Sequence, residues 1–373
     1  MDPKIFKAYD IRGLYPEQLD EQAAWKIGHA TAQFLRSMLH GYNRGLANAQ
    51  SICVGHDMRT HGPSLTKALI EGMNATGANV IDVGMIDTPQ MYFAINHLGT
   101  CGGVQVTASH NPAEYNGFKI SGQLAKPVGA DTGLNDVKHI ATALLHTKGR
   151  PDGSVEHCDL SKEYKAHVLK FLEEKRRPIK MVIDASNGMA GKMVPIIFGD
   201  MKGVELIGLN LKHDGTFKHD PNPLVESNLK ELKQTVIKKK ADFGFCFDGD
   251  ADRLMMVDEK GNTVSCDLMT SLMVPYFLKA NPGSTIVYDL RSSQVLQEEI
   301  LKYGGTPRRE RVGPADMKKT PRGMQALLVG GINGPFYYLG NFFVDSRMEE
   351  RSVGDDGEFR GESDLLEKND KVR

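Results

Sequence analysis

The segment TASHNPAEYNGFKISG, residues 107–122, follows directly on the apolar run Gly103-Val104-Gln105-Val106 and breaks it with a hydroxyl, an imidazole, an amide and a proline. Two readings of Ser109 compete. A Ser ahead of a helix start, with Pro112 close behind, is a common N-cap; the other reading is a nucleophile. For an isolated Ser-His pair the cap is the stronger reading. Nor does adjacency make His110 the base for Ser109, because neighbouring side chains usually point apart. The loop's place in the chain is plainer than its chemistry, since it closes a run of alternating elements. Ser51–Gly55 reads as a buried strand, Gly62–Gly77 as a helix, Asn79–Gly84 as a strand and Pro89–Leu98 as a short helix. Upstream, residues 21–39 put Ala24, Ile27, Thr31, Phe34, Leu35 and Met38 on one helical face. This alternation predicts an α/β domain with a parallel or mixed sheet.

The grammar then restarts twice. Ser161–Glu174 and 226–240 read as helices, with Lys180–Asp184, Val204–Leu209 and Ala241–Phe247 as strands. After the turn Asp258-Glu259-Lys260-Gly261-Asn262, Asp267–Leu278 and Ser293–Tyr303 read as helices around the strand Ser284–Asp289. The expected fold class is α/β, with three successive domains built on mixed sheets. Their expected bounds are 1–150, 151–258 and 259–346, followed by a charged tail over 347–373.

Composition narrows the partners. Of 373 residues 40% are hydrophobic, enough for a sizeable core, and 46 Lys+Arg nearly cancel 47 Asp+Glu, so no basic field invites nucleic acid. No apolar run approaches the roughly 18 to 20 residues that cross a bilayer. Five scattered cysteines fit reduced thiols, and the charged start MDPKIFKAYDIRG lacks the apolar stretch of a signal peptide. A cytoplasmic monomer or homodimer is expected.

The strongest local signal is Phe247-Asp248-Gly249-Asp250-Ala251-Asp252-Arg253. Three carboxylates at alternate positions, separated only by Gly and Ala, can converge on one hard cation, and unpaired they would repel. An EF-hand is ruled against although Glu259 falls at its twelfth position. Arg253 stands at the sixth, where the turn needs Gly, and both flanks read as strands. Mg²⁺ is the expected ion. A Mg²⁺ site of this kind needs a further ligand, and a phosphorylated Ser109 supplies one, which tips the reading of that serine toward the nucleophile.

Thr107-Ala108-Ser109-His110-Asn111-Pro112, followed by Tyr115-Asn116-Gly117-Phe118-Lys119, resembles the phosphoserine loop of the α-D-phosphohexomutase superfamily. Asp248–Arg253 resembles its metal loop, Tyr9-Asp10-Ile11-Arg12-Gly13 its N-terminal signature, and Tyr288–Ser293 an element of its third domain. The likeness runs from the N-terminus to about Ser346 and is nearest the phosphomannomutase/phosphoglucomutase branch. It implies an isomerase that moves phosphate between the 1- and 6-positions of a hexose phosphate through a phosphorylated Ser109 and a bisphosphorylated sugar. It also implies Mg²⁺ on Asp248, Asp250, Asp252 and a phosphoserine oxygen, with hexose 1,6-bisphosphate as activator. The implied catalytic residues are Ser109, His110, Lys119 and Arg12, and Arg253 is implied to bind substrate. A lowered pKa, suited to acid/base work, is expected for Lys119 beside two arginines and a cation.

The likeness breaks in the third domain. The family's Gly-Glu-x-Ser-Gly-His becomes Gly330-Gly331-Ile332-Asn333-Gly334-Pro335-Phe336, and its Val-Gly-His becomes Val312-Gly313-Pro314. Pro offers no side-chain donor or acceptor. The family's fourth domain, which grips the far phosphate, is expected to be absent. The expectation is a phosphohexomutase of weak turnover, and the alternative is a sugar-phosphate-binding or regulatory protein.

Overall fold

A short strand, β1 (Ile11–Leu14), leads into α1 (Glu21–Ser37), whose start is set by the Asp20 side chain accepting from Ala23 N at 2.7 Å. Ala24, Ile27, Thr31, Phe34 and Leu35 are buried along one face of α1 as their spacing predicts, whereas Met38 is the C-cap and half exposed. Then follow β2 (Ile52–His56), α2 (Gly62–Asn74), β3 (Val80–Met85), α3 (Thr88–Leu98), β4 (Gly102–Val106), β5 (Tyr115–Gly122), α4 (Leu134–Ala143) and β6 (Val155–His157). The structure is a computed structural model and describes residues 1–39, 48–145, 152–170, 177–310, 328–330 and 336–338. The altered positions Pro314, Ile332 and Asn333 and the tail 347–373 lie outside the described residues.

The first sheet has the spatial order β1-β5-β4-β2-β3-β6. β2, β3, β4 and β6 run parallel, and β5 lies antiparallel between β1 and β4, so the sheet is mixed. Residues 155–157 thus pair with the first sheet although they follow position 150. Helices α1, α2 and α4 cover one face through Ile27, Leu35, Leu65, Leu69 and Val137. The other face packs Phe93 and Ile95 of α3 against the next unit.

That unit comprises α5 (Ser161–Leu169), β7 (Ile179–Asp184), α6 (Ala190–Phe198), β8 (Val204–Leu209), α7 (Lys230–Lys239), β9 (Phe243–Phe247), β10 (Leu254–Asp258) and β11 (Thr263–Val264). Its sheet runs β11-β10-β9-β7-β8, with β7, β8 and β9 parallel and β10 and β11 antiparallel. Met193 and Ile197 of α6 join Phe93, Ile95 and Tyr164 in one apolar cluster, which locks the two units together. The last unit holds α8 (Cys266–Ala280), β12 (Thr285–Asp289), α9 (Gln294–Lys302), β13 (Thr306–Glu310), β14 (Leu328–Gly330) and β15 (Phe336–Tyr338), in the sheet order β13-β12-β14-β15. Val274, Leu278, Ile286, Leu296 and Ile300 form its core. Among the described residues no helix is long and apolar enough to cross a membrane.

One element departs from the local sequence signal. Asn116-Gly117 is a turn dipeptide by composition, yet both residues lie inside β5. Gly117 leaves room for the β1 backbone beside β5, since a Cβ there would stand 2.0 Å from Ile11 O. The Asn116 side chain is held by Gly117 N at 2.8 Å and by His61 at 2.9 Å. Lys119 therefore sits on a strand opposite Gln105 of β4.

Candidate active site

The carboxyl ends of β2, β4 and β9 each release a polar loop, and the three loops meet. Strand ends of this kind are where open α/β sheets bind ligands. The loop after β4 is rigid at Ser109. Thr107 Oγ1 donates to Asp57 Oδ2 at 2.6 Å and accepts from Ser109 N at 2.9 Å. Ser109 is fully buried and holds a left-handed φ of 53°, a conformation that costs a residue with a Cβ on the order of 1 kcal/mol or more. Its Oγ donates to Asp248 Oδ2 at 2.8 Å, across 139 residues of sequence. Gly249 makes this approach possible, because a Cβ there would lie 2.4 Å from Ser109 O.

The loop after β9 brings the three carboxylates together, with one ligand atom from each of Asp248, Asp250 and Asp252 within 4.8 Å of the others. Asp248 Oδ1 accepts from the backbone N–H of Asp252 and Arg253, both at 3.1 Å. Asp250 Oδ2 accepts from the Thr88 hydroxyl and from Lys119 Nζ at 2.5 Å, and Asp252 Oδ2 accepts from the same ammonium at 2.5 Å. The other oxygens, Asp250 Oδ1 and Asp252 Oδ1, are buried without a hydrogen-bond partner. Such orphaned oxygens beside a converging acidic set fit a hard divalent cation, which takes oxygen ligands.

Electrostatics divide the carboxylates. Burial, then the charges of Asp250 and Asp252, pushes Asp248 well above the usual carboxylate range. Burial opposes ionisation of Asp250 too, but the Lys119 charge and the hydrogen bonds from Lys119 and Thr88 outweigh it and hold that group low. Lys119 runs against expectation. Burial alone would lower its pKa, yet the two carboxylates raise it above the ordinary lysine value. The arginines that were to lower it are engaged nearby. Arg12 Nε pairs with Asp10 at 2.7 Å, while its Nη1 donates to Asn111 Oδ1 at 2.5 Å and Ala108 O at 3.2 Å. Arg253 Nε lies 3.9 Å from Asp252 Oδ1.

His110 Nδ1 lies 3.4 Å from Ser109 Oγ. Neighbouring side chains diverge in extended backbone, and the left-handed residue at 109 is what brings this pair together. Burial, then the charges of Arg253 and Arg12, pushes the imidazole down to about 4, so it is neutral at pH 7.

Two contributors escaped the sequence reading. Arg59, after β2, is 1% exposed, and all five of its N–H groups are used. They reach Asp57 Oδ2 at 3.3 Å and the carbonyls of Pro112 (2.6 Å), Tyr115 (2.9 Å), Ser109 (3.0 Å) and Asn111 (2.6 Å). Thr88, at the start of α3, grips Asp250. The signal for the first was present in Asp57-Met58-Arg59-Thr60-His61, a polar string placed directly after an apolar strand.

Comparison with known proteins agrees with this geometry. Residues 3–144 match phosphoglucomutase/phosphomannomutase alpha/beta/alpha domain I, and residues 162–261 match domain II of the same family. The chain is 37% identical over 354 residues to the phosphomannomutase of Escherichia coli K12, covering 92% of this chain and 74% of that protein. It is 34% identical over 346 residues to a phosphohexose mutase of Xanthomonas campestris, with the same 92% and 74% coverage. A crystal structure of a phosphoglucomutase/phosphomannomutase family protein from Burkholderia thailandensis superposes with a TM-score of 0.82 at 33% identity, covering 91% of this chain and 73% of that one. With both site-bearing units matched and the relatives covered over most of their length, the chain belongs to the phosphoglucomutase/phosphomannomutase family of α-D-phosphohexomutases.

Proposed function

We propose that the protein interconverts hexose 1-phosphates and hexose 6-phosphates, with Ser109 carrying the phosphoryl group. The observation that carries this reading is the 2.8 Å contact between Ser109 Oγ and Asp248, which sets a buried hydroxyl against an acidic cluster in which two oxygens have no hydrogen-bond partner. In the first half-reaction a sugar hydroxyl attacks phosphorus and gives up its proton, the new P–O bond forms as the P–Oγ bond breaks, and Ser109 Oγ takes up one proton, so that no net proton is gained or lost. The bound hexose 1,6-bisphosphate then turns and returns its other phosphate to Ser109.

Asp248, Asp250, Asp252 and a phosphoserine oxygen would hold Mg²⁺, which when bound offsets the charge of the transferring group. Lys119 stays protonated against Asp250 and Asp252, so it begins as a proton donor. Neutral His110, 3.4 Å from Oγ, is placed to receive the hydroxyl proton when Ser109 is phosphorylated again. Arg12 and Arg253 flank the site as anchors for phosphoryl oxygens.

Calorimetric titration of the full chain should show one Mg²⁺ site, weakened roughly 100-fold in Asp250→Ala by loss of a charged ligand. Equal affinity in that variant would remove the acidic loop from metal binding. The function itself is tested by coupled assays on mannose 1-phosphate and glucose 1-phosphate, with Mg²⁺ and a hexose 1,6-bisphosphate primer. Conversion of either sugar is expected, with kcat/KM below about 10⁴ M⁻¹s⁻¹ because Pro314, Ile332 and Asn333 replace polar family residues. Phosphorylation of Ser109 without conversion would favour the sugar-phosphate-binding alternative. Failure of both would sink the mutase reading.

A further inference from the structure

Asp250 reaches the acidic cluster from the second sheet but is anchored by the first. Thr88, fully buried, is the first residue of the eleven-residue helix α3. Its backbone N–H donates to Asp250 O at 3.0 Å, and its hydroxyl donates to Asp250 Oδ2. The preceding residue, Asp87, caps the helix by accepting from Gln90 N at 2.7 Å, which fixes the first turn. Thr88 thus holds one Asp250 at both main chain and side chain, 162 residues away in sequence. The positive end of α3 adds a favourable field at that carboxylate.

The consequence lies in how the two oxygens divide. Oδ2 is occupied by Thr88 and Lys119, while Oδ1 is buried and has no hydrogen-bond partner. Without the hydroxyl, Lys119 alone would hold Oδ2, and Lys119 also holds Asp252. An ammonium on a flexible stem fixes the orientation of a carboxylate poorly, whereas a hydroxyl on a β-branched, buried side chain has little freedom at χ1. We propose that Thr88 is a positioning residue for the cation site, its hydroxyl orienting the Asp250 carboxylate so that Oδ1 is presented to a divalent cation. Thr88 also places α3 of the first unit in charge of a ligand on the second, so cation affinity depends on the junction between them. This inference rests on the Mg²⁺ reading above.

The test is Mg²⁺ titration by calorimetry on the full chain and on Thr88→Val, Thr88→Ala and Thr88→Ser, each also melted with and without Mg²⁺. Partners that orient metal ligands typically affect affinity by roughly 10- to 100-fold. Thr88→Val, which exchanges the hydroxyl for a methyl of similar size, should bind at least about tenfold more weakly. Thr88→Ser should stay within about threefold of wild type, a rescue that a purely packing role would reverse, since serine lacks the methyl that valine keeps. The Mg²⁺-dependent rise in melting temperature should shrink in Val and Ala and persist in Ser. Should the Val variant fail to fold, Ala against Ser decides. Wild-type affinity in both Val and Ala, with Mg²⁺ binding intact in the parent, overturns the role of Thr88 alone. Absence of Mg²⁺ binding in the parent overturns the metal reading and this inference with it.

Discussion

Ser109→Ala is expected to abolish phosphoenzyme formation and to lower kcat/KM for either hexose 1-phosphate by roughly 10³-fold to 10⁶-fold. The magnitude follows from removing the nucleophile of a covalent mechanism, where the residual rate comes only from binding and electrostatics. The fold should survive. The hydroxyl makes one strong contact, 2.8 Å to Asp248 Oδ2, and loss of a single hydrogen bond costs about 1 kcal/mol. Alanine keeps the Cβ, so the backbone strain at φ 53° is unchanged between the two proteins. Asp248 retains the two backbone N–H contacts from Asp252 and Arg253, which keep the acidic loop in shape. The variant should therefore bind Mg²⁺ and hexose phosphate while forming no phosphoprotein. Intact-protein mass spectrometry after incubation with hexose 1,6-bisphosphate, run beside steady-state kinetics, separates the outcomes. A phosphate mass shift that persists in the alanine protein would move the acceptor to another residue. Turnover within tenfold of wild type would remove the covalent route altogether.

Much of this site was legible because its two central motifs are contiguous. Asp248, Asp250 and Asp252 advertise a cation through their spacing alone, and Ser109 stands out once that cation needs a phosphate. The strands that aim both loops were legible for a similar reason. Residues 103–106 and 241–247 are apolar runs, and the structure ends β4 at Val106 and β9 at Phe247. What the chain hides is assembled by topology. β5 disguises itself with Asn116-Gly117, and it is pairing with β1 that makes those two residues strand. The raised pKa of Lys119 needed the knowledge that Asp250 and Asp252 both lie 2.5 Å from its ammonium. From sequence its neighbours were two arginines, which push the other way. Thr88 sits in a short helix start that any Thr-Pro could provide, so nothing local marks it. Arg59 was the most findable of the omissions. A charged residue in the loop after a buried strand lies at the carboxyl end of the sheet, and an arginine there has either solvent or a specific set of acceptors.

Arg59→Met is the substitution expected to do most damage to the architecture. Both Arg59 and its partner Asp57 have fully buried side chains. The guanidinium is the hub on which the serine loop is strung: four carbonyls between Ser109 and Tyr115 point at it, and Phe217 of the second unit lies over it at 5.2 Å. Methionine fills the volume but takes a donor from each of those carbonyls and leaves the buried Asp57 carboxylate without its counter-charge. Breaking a buried ion pair from one side costs about 3 to 5 kcal/mol, because the remaining charge stays desolvated. The first cooperative unfolding step should move to lower denaturant by a corresponding amount, and Ser109 phosphorylation should fall with it, since Arg59 holds the Ser109 carbonyl. Arg59→Lys should rescue little. A single ammonium offers three donors and cannot span four carbonyls and a carboxylate that lie around a planar fork. Asp57→Asn in the Arg59→Met background should restore part of the loss, because the stranded charge is gone. The cycle should thus show a coupling of about 1 to 3 kcal/mol. Denaturant unfolding of the four proteins measures that coupling directly. Additive losses, or a lysine variant as stable and as readily phosphorylated as wild type, would show that Arg59 is a passive filler and that the serine loop holds its strained turn by itself.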